Sequence, residues 1–307
     1  MKIKLWGVRG SIPSPGADTI KYGGNTTCLQ VVFEDNGREI VIDGGSGLRP
    51  LGNSLVKRFL PGKEIDLDIF LTHTHWDHIM GFPFFSPLYI PKTRLRLYGP
   101  VTYEEGGLEE IIGSQFQYRY FPVIRSELSA DLKYFPLKET GFYFTRDIKV
   151  TTKYLNHPVL CMGYRFEFRG KVFCFVTDSE PFRNVFPGDP DDPDYDELAY
   201  IEGGKAAEEE NQKLLDFYSG ADLLIHDSQY TDHEWRNGKF GWGHSSYEYC
   251  IESAFKAGVK QLVLTHHDPE RTDEELDRLD EYYRDKYRDI GKKMKFSLAV
   301  EGTEINA

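Results

Sequence analysis

What this chain has little of narrows its chemistry first. Across 307 residues no apolar run approaches the roughly 20 residues that span a bilayer, so a membrane role is not expected. The N-terminus opens directly on strand-like Met1-Lys2-Ile3-Lys4-Leu5-Trp6 rather than on the charged segment and long apolar core of a signal peptide, so a cytoplasmic location is expected. Cysteine is scarce: Cys28, Cys161, Cys174 and Cys250 are scattered in apolar settings without a Cys-x-x-Cys pair. They read as reduced core thiols rather than disulfides or zinc ligands. Basic charge is short as well, 37 Lys and Arg against 49 Asp and Glu for a net charge of −12, an unfavourable balance for gripping a long polyanion by counterion release. Long nucleic acid is therefore not the expected partner, whereas a small anion neutralised by metal ions inside a site is compatible with the charge. The sequence has no internal repeat at solenoid or propeller spacing and no serine or cysteine nucleophile motif.

What is present is an alternation of short apolar strands and helices, the pattern of an α/β fold, in a length that one domain can hold. Strands are expected at 2–6, 28–34, 39–43, 66–71, 94–98, 148–154, 162–168, 172–177, 222–226, 261–265 and 294–300. Helices are expected at 48–60, after Thr102, at 206–218, at 245–257 and from Asp273 to about Tyr287. The aromatic-rich stretch 116–143 reads as irregular. Proline and aspartate from Pro187 to Asp194 exclude regular structure, and an acidic loop or lid is expected near 184–205. The acid run lacks the glycine of a calcium loop and reads as solvated.

Three of the nine histidines fall in one stretch, His73-Thr74-His75-Trp76-Asp77-His78. The apolar residues Leu67, Ile69, Phe70 and Leu71 lead into it, so the chain leaves a buried strand and turns over a site. Imidazole with carboxylate suits zinc, manganese or iron, and calcium and magnesium poorly. Histidines at i and i+2 converge from an extended strand end, not from a helix face. The same event recurs: apolar strands end at Asp43, at the His73 cluster, at Asp178, at His226-Asp227 and at His266, with His157 in a loop between two strands. Each acid alone could be a turn former or helix cap. Several strand ends converging on one rim is how a sheet scaffold brings distant ligands to one point.

Taken in order, Asp43, the cluster His73 to His78, His157, Asp178 and His266 resemble the five motifs of the metallo-β-lactamase-fold hydrolases, over nearly the whole chain. The resemblance implies an αββα sandwich of two mixed sheets flanked by helices, with two divalent metal ions at one edge, zinc foremost and manganese or iron as alternatives. By position, His73, His75 and His157 would hold one ion and Asp77, His78 and His266 the second. Asp178 would bridge both, and Asp43 would orient a ligand or the metal-bound water. His266 follows directly on its strand, where the family places its last ligand; His267 stays open as the alternative.

Three features are similar to the phosphodiesterase branch, which includes ribonuclease Z: the opening loop Gly7-Val8-Arg9-Gly10-Ser11-Ile12-Pro13, the run His226-Asp227-Ser228 after Leu224-Ile225, and Gly243-His244-Ser245-Ser246 before a helix. They imply a proton relay of Asp227 and His244 that assists leaving-group departure, with an aspartate where the branch carries glutamate. Asp77 is expected to join these two in catalysis, and Ser245 and Ser246 to meet substrate, cap the helix, or do both. The reaction so implied is attack on phosphorus by a hydroxide shared between the ions, with His244 protonating the departing oxygen. A small nucleotide-type phosphodiester is the expected substrate. The alternatives are a tRNA 3′-end endoribonuclease and a lactone or ester hydrolase. The oligomeric state is open, a homodimer included.

Overall fold

In the computed structural model, residues 1–34, 37–59, 64–101 and 106–307 are described. The first half contributes β1 (Lys2–Gly7), β2 (Cys28–Phe33), β3 (Arg38–Ile42), helix α1 (Leu48–Phe59), β4 (Asp66–Phe70), the four-residue α2 (Trp76–Ile79), β5 (Arg94–Pro100), α3 (Leu108–Ser114) and β6 (Asp131–Leu137). The second half contributes β7 (Gly141–Tyr143), β8 (Ile148–Leu155), β9 (Cys161–Phe168), β10 (Lys171–Val176), α4 (Glu197–Phe217), β11 (Leu223–Asp227), α5 (Asp232–Arg236), α6 (Tyr247–Lys256), β12 (Gln261–Thr265), α7 (Asp273–Lys286), α8 (Arg288–Gly291), β13 (Lys295–Leu298) and β14 (Glu304–Asn306).

The strands form two mixed sheets of seven, in the orders β14-β1-β2-β3-β4-β5-β6 and β13-β12-β11-β10-β9-β8-β7. Their inner faces interlock through Ile3, Val31, Ile40 and Phe70 of the first sheet and Phe166, Phe173, Ile225 and Val263 of the second. Phe70 meets the rings of Tyr164 and Phe166 edge-on at 5.4 and 5.6 Å, a geometry that satisfies the ring quadrupoles while filling the gap. Outside the first sheet, α1 and α3 bury Leu48, Leu51, Leu55, Leu108 and Ile112. Outside the second, α4, α6 and α7 bury Leu214, Tyr247, Ile251, Leu276 and Tyr283. This is the expected αββα sandwich. Among the described residues no helix is long and apolar enough to cross a membrane, and all four cysteines are buried and free.

What positions the site is parallel pairing. β3 and β4 run parallel, with Ile42 opposite Phe70. β10, β11 and β12 do likewise, with Val176 opposite His226 and Asp227 opposite Thr265. Parallel neighbours end on the same side, so the residues after these strands meet at one rim, the usual location of sites in parallel sheets. Two bonds tie the sheets together there: the Tyr164 hydroxyl donates to the Leu71 carbonyl at 2.6 Å, and the Met162 amide donates to the Thr72 carbonyl at 2.9 Å.

Several expectations need correction. The stretch 116–143 contains β6 and β7, both at sheet edges. Helix α4 starts at Glu197, not 206, because the Asp196 side chain caps it by accepting from the Ala199 amide. The acidic stretch near 184–205 is thus irregular only as far as Asp196. The final strand is shorter than 294–300, and the chain returns as β14 to pair with β1. Residues 60 and 102–105, where one helix was to end and another to begin, lie outside the described residues.

Candidate metal centre

Three groups of ligand-capable atoms gather at the rim: His73, His75, His157 and Asp178; Asp77, His78, Asp178 and His266; and Asp227, His244 and His266. Asp178 belongs to the first two, which between them hold every expected ligand. Its Oδ2 faces the first group, 3.4 Å from His73 Nε2 and 3.9 Å from His157 Nε2. Its Oδ1 faces the second, 3.3 Å from both His78 Nε2 and His266 Nε2. The second group closes on itself, with Asp77 Oδ2 3.3 Å from His78 Nε2 and 3.2 Å from His266 Nε2, and the two imidazole nitrogens 3.4 Å apart. A tetrahedral ion with bonds of about 2.0–2.1 Å would set its ligand atoms roughly 3.3 Å apart. The side chains therefore stand at the spacing a small divalent ion requires.

Hydrogen bonding behind the ligands agrees. His78 Nδ1 lies 2.9 Å from Asp43 Oδ2, His266 Nδ1 lies 3.0 Å from Gln229 Oε1, and His157 Nδ1 lies 3.0 Å from the Gly243 carbonyl. Each partner only accepts, so each Nδ1 carries a proton and each Nε2 is turned to the centre, where an ion would take the place of any proton on it. His73 Nε2 is buried and has no hydrogen-bond partner. An orphaned buried nitrogen is costly unless it binds something, and with Asp178 Oδ2 3.4 Å away a cation between the two would satisfy it. Asp43 is held in turn, its carboxylate accepting from the amide and hydroxyl of Thr72.

Electrostatics point the same way. Burial holds His73 well below its ordinary pKa and lowers His157 to about 4, which keeps both imidazoles neutral. Burial also opposes charge on His78 and His266, but Asp178 and its neighbouring carboxylates override it, holding His78 well above its ordinary value and lifting His266 to about 9. Against the penalty of burial, the surrounding histidines keep Asp77 and Asp178 well below the usual carboxylate range. A buried cluster with two ionised carboxylates is a place for positive charge.

Backbone strain concentrates here too. Among the described residues six non-glycines have positive φ, and four of them are Ser11, Asp43, Asp178 and His266, at 63°, 61°, 54° and 62°. Such conformations cost about 1–3 kcal/mol each and persist where the surroundings enforce them, typically at functional sites. Ser11 shows what is gained: its amide donates to Asp77 Oδ2 at 2.8 Å.

Beside the first two groups stands His244 of the third. Its Nδ1 lies 3.0 Å from Asp227 Oδ2, and its ring stacks 4.8 Å from that of His266 and lies 5.5 Å from that of His157. The shorter carboxylate of aspartate reaches because Asp227 is the last residue of β11. The Ser179 and Gln229 amides donate to its two oxygens at 3.1 and 3.2 Å and fix the carboxylate. Ser245 and Ser246 are buried. Ser245 Oγ donates to the Ser179 carbonyl at 2.5 Å, and Ser246 Oγ caps α6 by accepting from the Tyr249 amide at 3.2 Å. His267 turns away, with Nε2 2.9 Å from the Ala299 carbonyl. Buried His226 likewise binds the Asp227 carbonyl through Nδ1 at 2.7 Å, and His233 sits on α5.

Sequence reasoning passed over Gln229 and Glu180. Only the position of Gln229, two residues past Asp227, could have signalled it. Glu180, two residues past Asp178, is buried and accepts from the amides of Gly241 and Gly243 at 2.7 and 3.1 Å.

Comparison with known proteins agrees with this geometry. Residues 23–210 match the metallo-beta-lactamase superfamily. The chain is 29% identical over 295 residues to ribonuclease Z of Lactococcus lactis subsp. cremoris, covering 87% of this chain and 88% of that protein. Among solved structures, it superposes on a diphosphatase from the PhnP family with a TM-score of 0.63 at 16% identity, over 100% of this chain and 97% of the other. It superposes on the short form of human tRNase Z with a TM-score of 0.59 at 18% identity, over 100% and 99%. The chain belongs to the metallo-beta-lactamase superfamily, and its relatives of similar length include proteins named ribonuclease Z.

Proposed function

We propose that this protein is a dinuclear metal-dependent phosphodiesterase acting on a small nucleotide-type phosphodiester. The observation that carries the reading is the His244–Asp227 pair, an imidazole held by a fixed carboxylate beside both ligand groups and belonging to neither of them alone. Opening a lactone or an ester calls for no second, carboxylate-held imidazole, whereas departure of an alkoxide from phosphorus gains from an acid at the leaving oxygen.

His73, His75 and His157 would hold one ion and Asp77, His78 and His266 the other, with one oxygen of Asp178 reaching each. Bound there, two divalent ions would polarise the phosphoryl oxygens and render a water nucleophilic near neutral pH. The protein's own share is proton handling and orientation. Asp227 accepts from His244 Nδ1, which leaves Nε2 to deliver a proton to the departing oxygen, a contribution of about 10²–10⁴ in rate. Asp77, locked by the Ser11 amide, acts in catalysis by holding its carboxylate at the second ion position. The hydroxyls and carbonyls of buried Ser245 and Ser246 are already engaged, so any substrate contact falls to their amides, and the firmer role of the pair is to start α6 directly after His244.

The net charge of −12 favours a small substrate over a long polyanion. The relatives named ribonuclease Z favour a second reading, cleavage at the 3′ end of tRNA. The test is to quantify metal in the purified protein and assay bis-p-nitrophenyl phosphate, a lactone, linear and cyclic dinucleotides and a precursor tRNA. Two divalent ions per chain and turnover of a small diester are expected. Lactone turnover without diester turnover overturns the reading, and precursor tRNA cleavage without dinucleotide turnover transfers it to the second. His244→Ala should retain its metal and lose about 10²–10⁴ in kcat on the diester.

A further inference from the structure

We propose that the segment 239–242 at the mouth of the site is a nucleobase-recognition subsite, in which the Trp242 indole stacks on a base and the Lys239 ammonium neutralises a phosphate. The ligand class rests on the phosphodiesterase reading; the geometry of the subsite does not.

Trp242 lies two residues before His244 and is 55% exposed. A single exposed aromatic is ordinary on a protein surface. This one is fixed on both sides. The amides of Gly241 and Gly243, its two neighbours, both donate to Glu180 Oε2, whose side chain is only 4% exposed. Both glycines have φ of 80°, and a Cβ on Gly243 would fall 2.1 Å from His157 Nδ1. A buried carboxylate has thus been spent on immobilising the backbone around an indole that faces solvent. Such fixing removes entropy that a binding platform would otherwise lose on contact with its ligand.

Lys239 completes the arrangement. Its Nζ lies 4.2 Å from the Trp242 ring centroid and 5.3 Å from that of Tyr230. The Tyr230 ring in turn lies 6.1 Å from that of His244. Among the described residues Lys239 pairs with no carboxylate, although acids outnumber bases by twelve in this chain. A half-buried lysine whose ammonium lies over two rings and has no carboxylate partner is positioned to meet an anion. Arg183, whose guanidinium lies 4.9 Å from the Phe240 ring and 3.6 Å from Glu180, braces the same segment from the other side. The series runs from the His244 imidazole through Tyr230 and Lys239 to Trp242, so a ligand whose phosphate lies toward the centre would carry its base outward to the indole. Stacking on an aromatic side chain tolerates any base, so the subsite selects for nucleotides as a class.

The test is calorimetric titration of the purified full-length protein with adenosine 5′-monophosphate and with ribose 5-phosphate, which differ by the base. The wild type should bind the nucleotide at least tenfold more tightly. Trp242→Ala should abolish that preference, Trp242→Phe should keep most of it, and Lys239→Ala should weaken both ligands alike. Melting temperature and metal content establish that each variant is folded. A preference that survives Trp242→Ala, or that the wild type lacks, overturns the base platform. Unchanged binding by Lys239→Ala overturns the anion contact. In parallel, the ratio of kcat/KM for thymidine 5′-p-nitrophenyl phosphate over ethyl p-nitrophenyl phosphate should fall about tenfold in Trp242→Ala. If neither ester is hydrolysed while the base preference depends on Trp242, the phosphodiesterase reading fails and the subsite stands.

Discussion

His266 and His267 are adjacent, both buried, and do opposite things. His266, with φ of 62°, aims Nε2 at Asp77 and Asp178 and is steadied from behind by Gln229. His267 continues into the core, where its Nε2 meets the Ala299 carbonyl and its ring meets Tyr22 edge-on at 5.9 Å. Burial drives its pKa down to about 3, so it serves as a neutral donor inside the protein. Metal analysis separates the two roles. His266→Ala should retain about one ion per chain in place of two, while His267→Ala should retain both and lose about 1–3 kcal/mol of stability by leaving the Ala299 carbonyl unsatisfied. Equal metal loss in the two variants would refute the assignment. Gly10 gives an independent check, because a Cβ there would lie 2.3 Å from His266 Nδ1. Gly10→Ala should therefore push the ring out of line and reproduce the metal stoichiometry of His266→Ala. A Gly10→Ala protein with full metal occupancy would show that the ring can yield without losing its ion.

At the scale of elements, the ligand-bearing strands were legible because each is a buried apolar run that stops at a polar side chain, and burial on both faces leaves an unbroken hydrophobic signal. The strands that sequence reading missed carry no such signal. β6 alternates exposed and partly buried residues at a sheet edge and contains Pro136, which reads as a breaker and is tolerated only where no further strand pairs. β14 spans three residues and is held by pairing with β1 rather than by composition. The early start of α4 was hidden by Gly203 and Gly204, poor helix formers. Gly203 is needed because a Cβ there would lie 2.4 Å from the Phe186 ring. Asp68 shows the same limit within a strand that was read correctly. Its side chain is almost fully buried in β4, where Arg38 of β3 binds one oxygen and Arg96 Nε of β5 binds the other at 2.6 Å. Strand periodicity cannot reveal a carboxylate that is stabilised by its two lateral neighbours. Asp68→Ala should cost about 3 kcal/mol, at the lower end for a broken buried pair because both arginines retain some exposure. Chemical denaturation would measure it, and metal content should not change. A loss under 1 kcal/mol would mean that the arginines find solvent without penalty.

For the whole molecule, the centre joins two sheets that otherwise meet mainly through apolar packing. His73, His75, Asp77 and His78 follow β4 of the first sheet, whereas His157, Asp178 and His266 follow β8, β10 and β12 of the second. Ions held by both groups would therefore bind only when the sheets are packed, and binding to the native state alone stabilises it by mass action. Free ion at about 100 times its dissociation constant corresponds to about 2.7 kcal/mol for each of the two proposed sites, about 5.4 kcal/mol together. At about 2 °C per kcal/mol for a chain of this size, chelation should lower the melting temperature by about 11 °C. Scanning calorimetry should show one transition before and after chelation, since residues of both sheets share one inner core and the whole chain is proposed to be a single domain. Asp178→Ala separates this linkage from nonspecific chelator effects. It removes the carboxylate common to both groups, so its melting temperature should no longer respond to chelator. A wild-type protein that binds two ions yet melts at the same temperature with and without chelator would mean that the ligands hold the ions equally well in the unfolded chain. The preorganisation seen in Asp43, Gln229 and the Gly243 carbonyl would then contribute nothing to binding.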